Sequence, residues 1–191
     1  VVYTSDQGFY LGEHGWFDKR WMYEPSFRMP FMVKYPKKIK AGTHNKELLL
    51  NIDFAPTLLD LAGVSIPKDM QGESFKRQLY GKSYKGRDAV YYHYYEYPFW
   101  HKVQPHYGVS TGKYKLIHYY YDMDEWELFD LENDKNEMQN LHGKPGYEKI
   151  TTNLKQKIKS LQKQYKDDMS LEEMRAMTDV VVKRVYSERN N

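Results

Sequence analysis

The chain has 191 residues, enough for one domain or two small ones with a packed core. Its 29 Lys and Arg against 26 Asp and Glu leave a formal charge of +3, too balanced for nucleic acid or a membrane surface to be the main partner. It has no Cys, which excludes disulfides and thiolate-held zinc and leaves the redox compartment unreadable.

The first predicted element is a strand, Val1-Val2-Tyr3-Thr4, that begins at the first residue with neither an initiator Met nor a charged signal-peptide segment. The expectation is the middle of a longer polypeptide, with any export signal upstream. A second strand is predicted in "PFMVKYP", Pro30 to Pro36. The long loop between the two strands is too aromatic to be disordered, and loops of that length in a compact fold are usually functional. Asp53 is expected to cap a helix with Pro56 in its first turn, Leu58, Leu59 and Leu61 following, and Gly63 as its left-handed stop.

The small, basic stretch around 81–88 reads as a linker between a first unit, 1–80, and a second, 89–191. Beyond it "AVYYHYYEYP", "YGVSTGKYKLIHYYY" and "WELFDL" predict an antiparallel meander. Tyr147, Ile150, Leu154, Ile158, Leu161 and Tyr165 recur at helical spacing, which predicts a long amphipathic helix packed on that sheet. Ser170 and Glu173, in capping-box spacing, predict a terminal helix from about Leu171 that frays in "SERNN". The apolar runs are too short, or too interrupted by Asp, to cross a bilayer, so a soluble chain is expected.

Chemistry concentrates in the first loop. Asp6 and Gln7 follow the strand at its carboxyl end, where ligands gather in α/β sheets. A carboxylate beside an amide oxygen forms half of a hard-cation site of the Ca²⁺ or Mg²⁺ type. An Asx-turn ahead of Gly8 is the competing reading of the same four residues. The 19 Tyr are compatible with carbohydrate binding, since the ring offers apolar area and the hydroxyl a polar handle. The spacing of His101 and His106 fits neither a helical pair nor a finger motif, so zinc is not expected there.

Ser-Asp-x-Gly after a strand, then "GEHG" (Gly12 to Gly15), "DKR" (Asp18 to Arg20), "YEPSFRMP" (Tyr23 to Pro30) and a strand resemble the type I sulfatases of the alkaline phosphatase superfamily. "NIDFAPTLLDLAGV" resembles the helix that follows in that family, and "WELFDLENDKNEMQNL" its C-terminal segment, so the likeness runs from residue 1 to about residue 142. It implies an α/β fold: the C-terminal part of an alkaline-phosphatase-like sheet, then a small α+β subdomain with an antiparallel sheet and a long packed helix. It implies a sulfuric ester hydrolase acting on a sulfated carbohydrate, with N-acetylglucosamine-6-sulfatases and heparan-sulfate-degrading enzymes as the nearest types. Such enzymes are exported to the periplasm, the exterior or the lysosome.

By the same resemblance Asp6 and Gln7 correspond to the second pair of metal ligands for Ca²⁺, or Mg²⁺, and Lys19 to a catalytic lysine on the sulfate. Asp18 and Arg20, flanking it, are candidates to read the sugar ring. His106 is the first choice for a sugar contact, ahead of His101 and Trp100, and His14 is a further candidate that could equally fix its own loop. Arg28 is expected to hold the loop through Glu24 or carbonyls, His93 to pack in the sheet, and His44, His118 and His142 to be structural or solvent-facing.

The family's nucleophile is a formylglycine made within Cys/Ser-x-Pro/Ala-x-Arg. "SIPKD" from Ser65 lacks the Arg and "SYKGR" from Ser83 lacks the Pro or Ala. The nucleophile and the first ligand pair are thus expected on a missing N-terminal part of the same enzyme, and this piece is expected to be inactive alone. A phosphonate monoester or phosphodiester hydrolase of the same superfamily, or a non-catalytic sugar-binding module, are the alternatives.

Overall fold

Successive side chains of a strand point to opposite faces, and in the second half of this chain both sets are apolar or aromatic. A sheet of that kind must be covered twice. The computed structural model, which describes residues 1–82, 84 and 86–189, shows how.

Four strands, β5 (Val90–Tyr94), β6 (His106–Ser110), β7 (Tyr114–Tyr119) and β8 (Glu125–Asp130), pair antiparallel in sequence order. One face carries Tyr107, Val109, Leu116 and Leu128. It is covered by Leu154, Ile158 and Leu161 of a long helix (α4, Glu148–Tyr165) and Met174 of the last helix (α5, Leu171–Arg189). The spacing of those α4 residues puts them on one stripe, as the sequence predicts. Ser170 and Glu173 cap α5 reciprocally, with Glu173 N–H donating to Ser170 Oγ at 3.2 Å and Ser170 N–H to Glu173 Oε2 at 2.7 Å.

The other face carries Ile117, Tyr119 and Phe129, and its cover is the long loop of the first third, through Tyr10, Met22 and Tyr23. Gly108 makes this possible. A Cβ there would lie 2.6 Å from Met22 Sδ and 2.5 Å from Leu116 O, so only glycine lets the loop seat on β6.

That loop has structure of its own. A short pair, β2 (Tyr10–Leu11) and β3 (Phe17–Asp18), brackets a 3₁₀ turn at Glu13–Gly15, and a one-turn helix, α1 (Glu24–Phe27), follows. On either side of the loop, β1 (Val2–Thr4) and β4 (Phe31–Val33) form an antiparallel ribbon. Phe31 of β4 stacks on Phe54 at 5.2 Å and meets Phe75 edge-on at 5.4 Å, which joins the ribbon to α2 (Phe54–Ala62) and α3 (Lys76–Leu79).

Gly63 ends α2 at φ +75°, as expected, but Asp53 does not cap that helix with its side chain. Its buried carboxylate accepts the N–H of Leu50 at 2.7 Å, that of Glu73 at 2.8 Å and an Arg87 N–H at 2.9 Å, and its other oxygen pairs with the same guanidinium. A charged bidentate partner outcompetes a single N-cap bond. Arg87 lies within the predicted linker 81–88, of which Ser83 and Lys85 fall outside the described residues. Among the described residues no helix is long and apolar enough to cross a membrane.

Candidate active site

Gly8 sets the turn that follows Asp6 and Gln7. Its N–H donates to Ser26 O at 2.7 Å, and a Cβ on it would sit 2.0 Å from Pro25 O, so α1 lies directly against the turn. Gln7 Nε2 donates to Lys19 O at 2.7 Å, and Ser26 Oγ donates to that same carbonyl at 2.7 Å. With its nitrogen committed, the Gln7 amide has its oxygen left to accept.

Lys19 turns its ammonium to Asp6, with Nζ 3.2 Å from Oδ2. This contact holds the largely exposed Asp6 carboxyl below its ordinary range, so it is ionised at neutral pH. A cleft of about 560 Å³, lined by Thr4, Ser5, Asp6, Asn51, Ile52 and Phe54, opens beside it. The adjacent carboxylate and amide oxygen fit a hard divalent cation. They would supply two of the six or more oxygens such an ion takes, and among the described residues no group of three or more His, Asp or Glu gathers a fuller set.

The chain neighbours of Lys19 belong to a second cluster. Asp18 ends β3 at φ +99°, a backbone state that costs a non-glycine residue about 1–3 kcal/mol. Its Oδ1 accepts from Arg20 at 2.7 Å and its Oδ2 lies 2.6 Å from His101 Nδ1. Arg20 Nε in turn lies 3.6 Å from Glu96 Oε2. Trp16 and Trp21 stack with centroids 4.6 Å apart, and with Phe17, Asp18, Arg20 and His101 they wall a pocket of about 330 Å³. A carboxylate, a guanidinium and an imidazole beside aromatic faces can take the hydroxyls and the apolar face of one sugar ring.

His106 stands elsewhere. It is fully enclosed on the loop face of β6, stacked on Trp21 at 5.7 Å and on Tyr94 at 5.5 Å, and it donates from Nδ1 to Gln104 O at 2.7 Å. Burial lowers its pKa to about 4, so the ring is neutral. The expectation of a direct sugar contact is corrected: strand parity turns His106 under Trp21, and His101, ranked behind it, is the histidine in the pocket.

His14 is also a packing residue. At φ +56° its ring packs in a triangle with Trp16 at 5.5 Å and Tyr23 at 4.8 Å, which fixes its own loop. Arg28 meets Glu24 at 3.6 Å and His93 is buried against Asp167 at 2.7 Å, both as expected. Trp100 is 89% exposed.

Sequence reasoning missed a buried charge cluster behind the loop. Lys115, on the loop face of β7, is fully buried, with Nζ 2.9 Å from Glu24 Oε1 and 2.7 Å from Glu137 Oε1. Glu137 Oε2 accepts the N–H of Glu24 at 2.6 Å. The available signal was a lysine at alternate spacing with Ile117 and Tyr119 in "YKLIHY", on a face that is otherwise apolar.

Known proteins resemble the chain across these elements. The family model for N-sulphoglucosamine sulphohydrolase, C-terminal, matches residues 12–164. An N-acetylglucosamine-6-O-sulfatase of Bacteroides thetaiotaomicron is 54% identical over 171 residues, covering 88% of this chain and 31% of that protein. Arylsulfatase K of Mus musculus is 32% identical over 170 residues, covering 84% of this chain and 30% of that protein. The solved structure of a protein in complex with its substrate, D-glucosamine-2-N,6-O-disulfate, aligns with a TM-score of 0.86 and 53% identity over 90% of this chain and 35% of that one. A phosphonate monoester hydrolase of Agrobacterium radiobacter aligns with a TM-score of 0.74 at 20% identity over 86% of this chain and 35% of that one, a likeness of fold alone. The chain thus spans about a third of the length of the curated relatives it matches. With the family model covering the loop from residue 12 onward, the sheet and nearly all of α4, the chain belongs to the N-sulphoglucosamine sulphohydrolase C-terminal family of sulfatases.

Proposed function

We propose that the protein carrying this chain hydrolyses the sulfate ester of a sulfated amino sugar, with 6-O-sulfated N-acetylglucosamine or glucosamine as the preferred unit. The observation that carries the reading is that Lys19 pairs with an ionised Asp6 beside Gln7, while its chain neighbours Asp18 and Arg20, with His101, wall a sugar-sized pocket. The 54% identity to a sulfatase of that specificity supports the choice of sugar.

Family membership implies a divalent metal and a formylglycine in general. In our reading Asp6 and Gln7 supply part of the shell of a Ca²⁺ ion, Mg²⁺ being the alternative, and the rest comes from the N-terminal part of the enzyme. The bound ion would draw the sulfate oxygens and offset their charge. Lys19 adds a compact positive charge where negative charge accumulates on the sulfuryl group and the leaving oxygen. Asp18 and His101 orient the ring through its hydroxyls, Arg20 holds Asp18 in place, and Trp16 and Trp21 exclude water from the apolar side. The nucleophile is expected outside the chain, so we infer that the segment alone does not turn over.

The full-length enzyme, assayed on 6-O-, 2-O- and N-sulfated glucosamine and on a phosphonate monoester, tests this. The 6-O-sulfate should give the highest kcat/KM and the isolated segment should give none. A higher kcat/KM on the phosphonate monoester would overturn the reaction class, and turnover by the segment would overturn the placement of the nucleophile. Replacing Lys19 with Ala should lower kcat about 100-fold while changing KM little.

A further inference from the structure

We propose that Glu137, through Lys115 and Ser26, is a positioning residue for the metal end of the site, although it lies on the segment after β8 and more than a hundred residues from Gln7. The proposal rests on the reading of Gln7 as a metal ligand.

The links are hydrogen bonds and ion pairs of 2.6–2.9 Å in series. Glu137 Oε2 holds the Glu24 N–H at 2.6 Å, at the first turn of α1. Lys115 Nζ closes the cluster onto both carboxylates, at 2.7 Å from Glu137 and 2.9 Å from Glu24, and lies 5.1 Å from the Phe27 ring centroid at the far end of the helix. From α1, Ser26 makes two contacts back to the loop: its carbonyl accepts from Gly8 N at 2.7 Å and its hydroxyl donates to Lys19 O at 2.7 Å. Lys19 O is also the acceptor that orients the Gln7 amide at 2.7 Å.

α1 has a single turn, and a helix that short does not persist without outside contacts. The close approach of Gly8 to Pro25 O leaves no slack between α1 and the turn. A shift of α1 therefore reaches the Gln7 side chain directly. The Glu137 carboxylate has no place in the pocket or beside Asp6, so it acts only through α1.

The test uses the full-length enzyme with Glu137→Gln, Ser26→Ala, Gln7→Ala and, as a control of matched stability loss, Ser170→Ala at the cap of α5. After metal removal each is titrated with CaCl₂ by calorimetry, and thermal midpoints and steady-state constants are measured. Glu137→Gln and Ser26→Ala should weaken Ca²⁺ binding about 10-fold or more and lower kcat, with KM for the sugar within about twofold, because outer-shell groups that aim ligands have effects of that size. Ser170→Ala should lower the midpoint and leave Ca²⁺ affinity unchanged. Ser26→Ala removes one hydroxyl and keeps the test decisive if Glu137→Gln does not fold. Wild-type Ca²⁺ affinity in Ser26→Ala and in any Glu137→Gln that folds, beside a weakened Gln7→Ala, would overturn the positioning role alone. Wild-type affinity in Gln7→Ala would overturn the reading of Gln7 as a ligand and the proposal with it.

Discussion

His101 and His106 illustrate how one residue type takes opposite roles in a short stretch. His106 is the first residue of a strand, and period two sends it, with Gly108 and Ser110, toward the loop, where rings enclose it. His101 precedes the strand and is free to reach Asp18. Parity was readable in "HYGVS"; which face the loop would cover was not, because that depends on contacts between distant segments. His106→Phe should keep KM within about twofold, since the ring packs against Trp21 and Tyr94 outside the pocket, whereas His101→Ala should raise KM about tenfold by removing the imidazole beside Asp18 Oδ2 and leaving Asp18 with Arg20 alone. Steady-state kinetics on 6-O-sulfated glucosamine decides, and the reverse order would return His106 to the substrate. Asp53 is the other residue whose neighbours altered its meaning. Arg87→Met leaves its buried carboxylate uncompensated and should cost about 3–5 kcal/mol in chemical unfolding.

At the scale of elements, what was local was legible. The stop of α2 at Gly63, the stripe of α4, the cap of α5 and the meander each follow from neighbouring residues and stand where the sequence puts them. The cover on the second face of the sheet was not legible, since a loop has no periodicity to announce the face it buries. Gly108 is where that cover is decided. Gly108→Ala would force either Met22 or the β7 backbone to move, and should cost about 1–3 kcal/mol while loosening the loop. Hydrogen exchange should then rise at residues 19–28 and stay low in α4. Equal loss of protection in both would mean that the sheet, not the loop contact, had failed.

For the whole molecule, burial of so many titratable rings limits the range of pH in which the fold is stable. His106 and His118 are held neutral, their pKa values lowered by burial to about 4 from an ordinary 6.5. Between those values the unfolded chain binds more protons than the folded one, so stability falls as pH drops from about 6.5 to 4, by up to about 3 kcal/mol for each ring. Burial pushes Tyr92 and Tyr107 up to about 12 from 10.0, so stability also falls as pH rises between those values. Denaturant midpoints measured from pH 4 to 12 should trace a plateau between about 7 and 10, and His118→Phe should flatten its acidic side. A midpoint independent of pH below 6.5 would contradict the neutral state of these histidines.

The seat of Met22 on Gly108 also bears on how such enzymes diversify. The loop that carries Asp18 and Arg20 and the sheet beneath it share one interior, so neither can be exchanged between relatives alone. A hybrid joined near residue 85 would graft a foreign floor under a native wall. Hybrids that take residues 8–28 and 90–137 from the same parent should keep that parent's sugar preference, and those that divide the two should lose both.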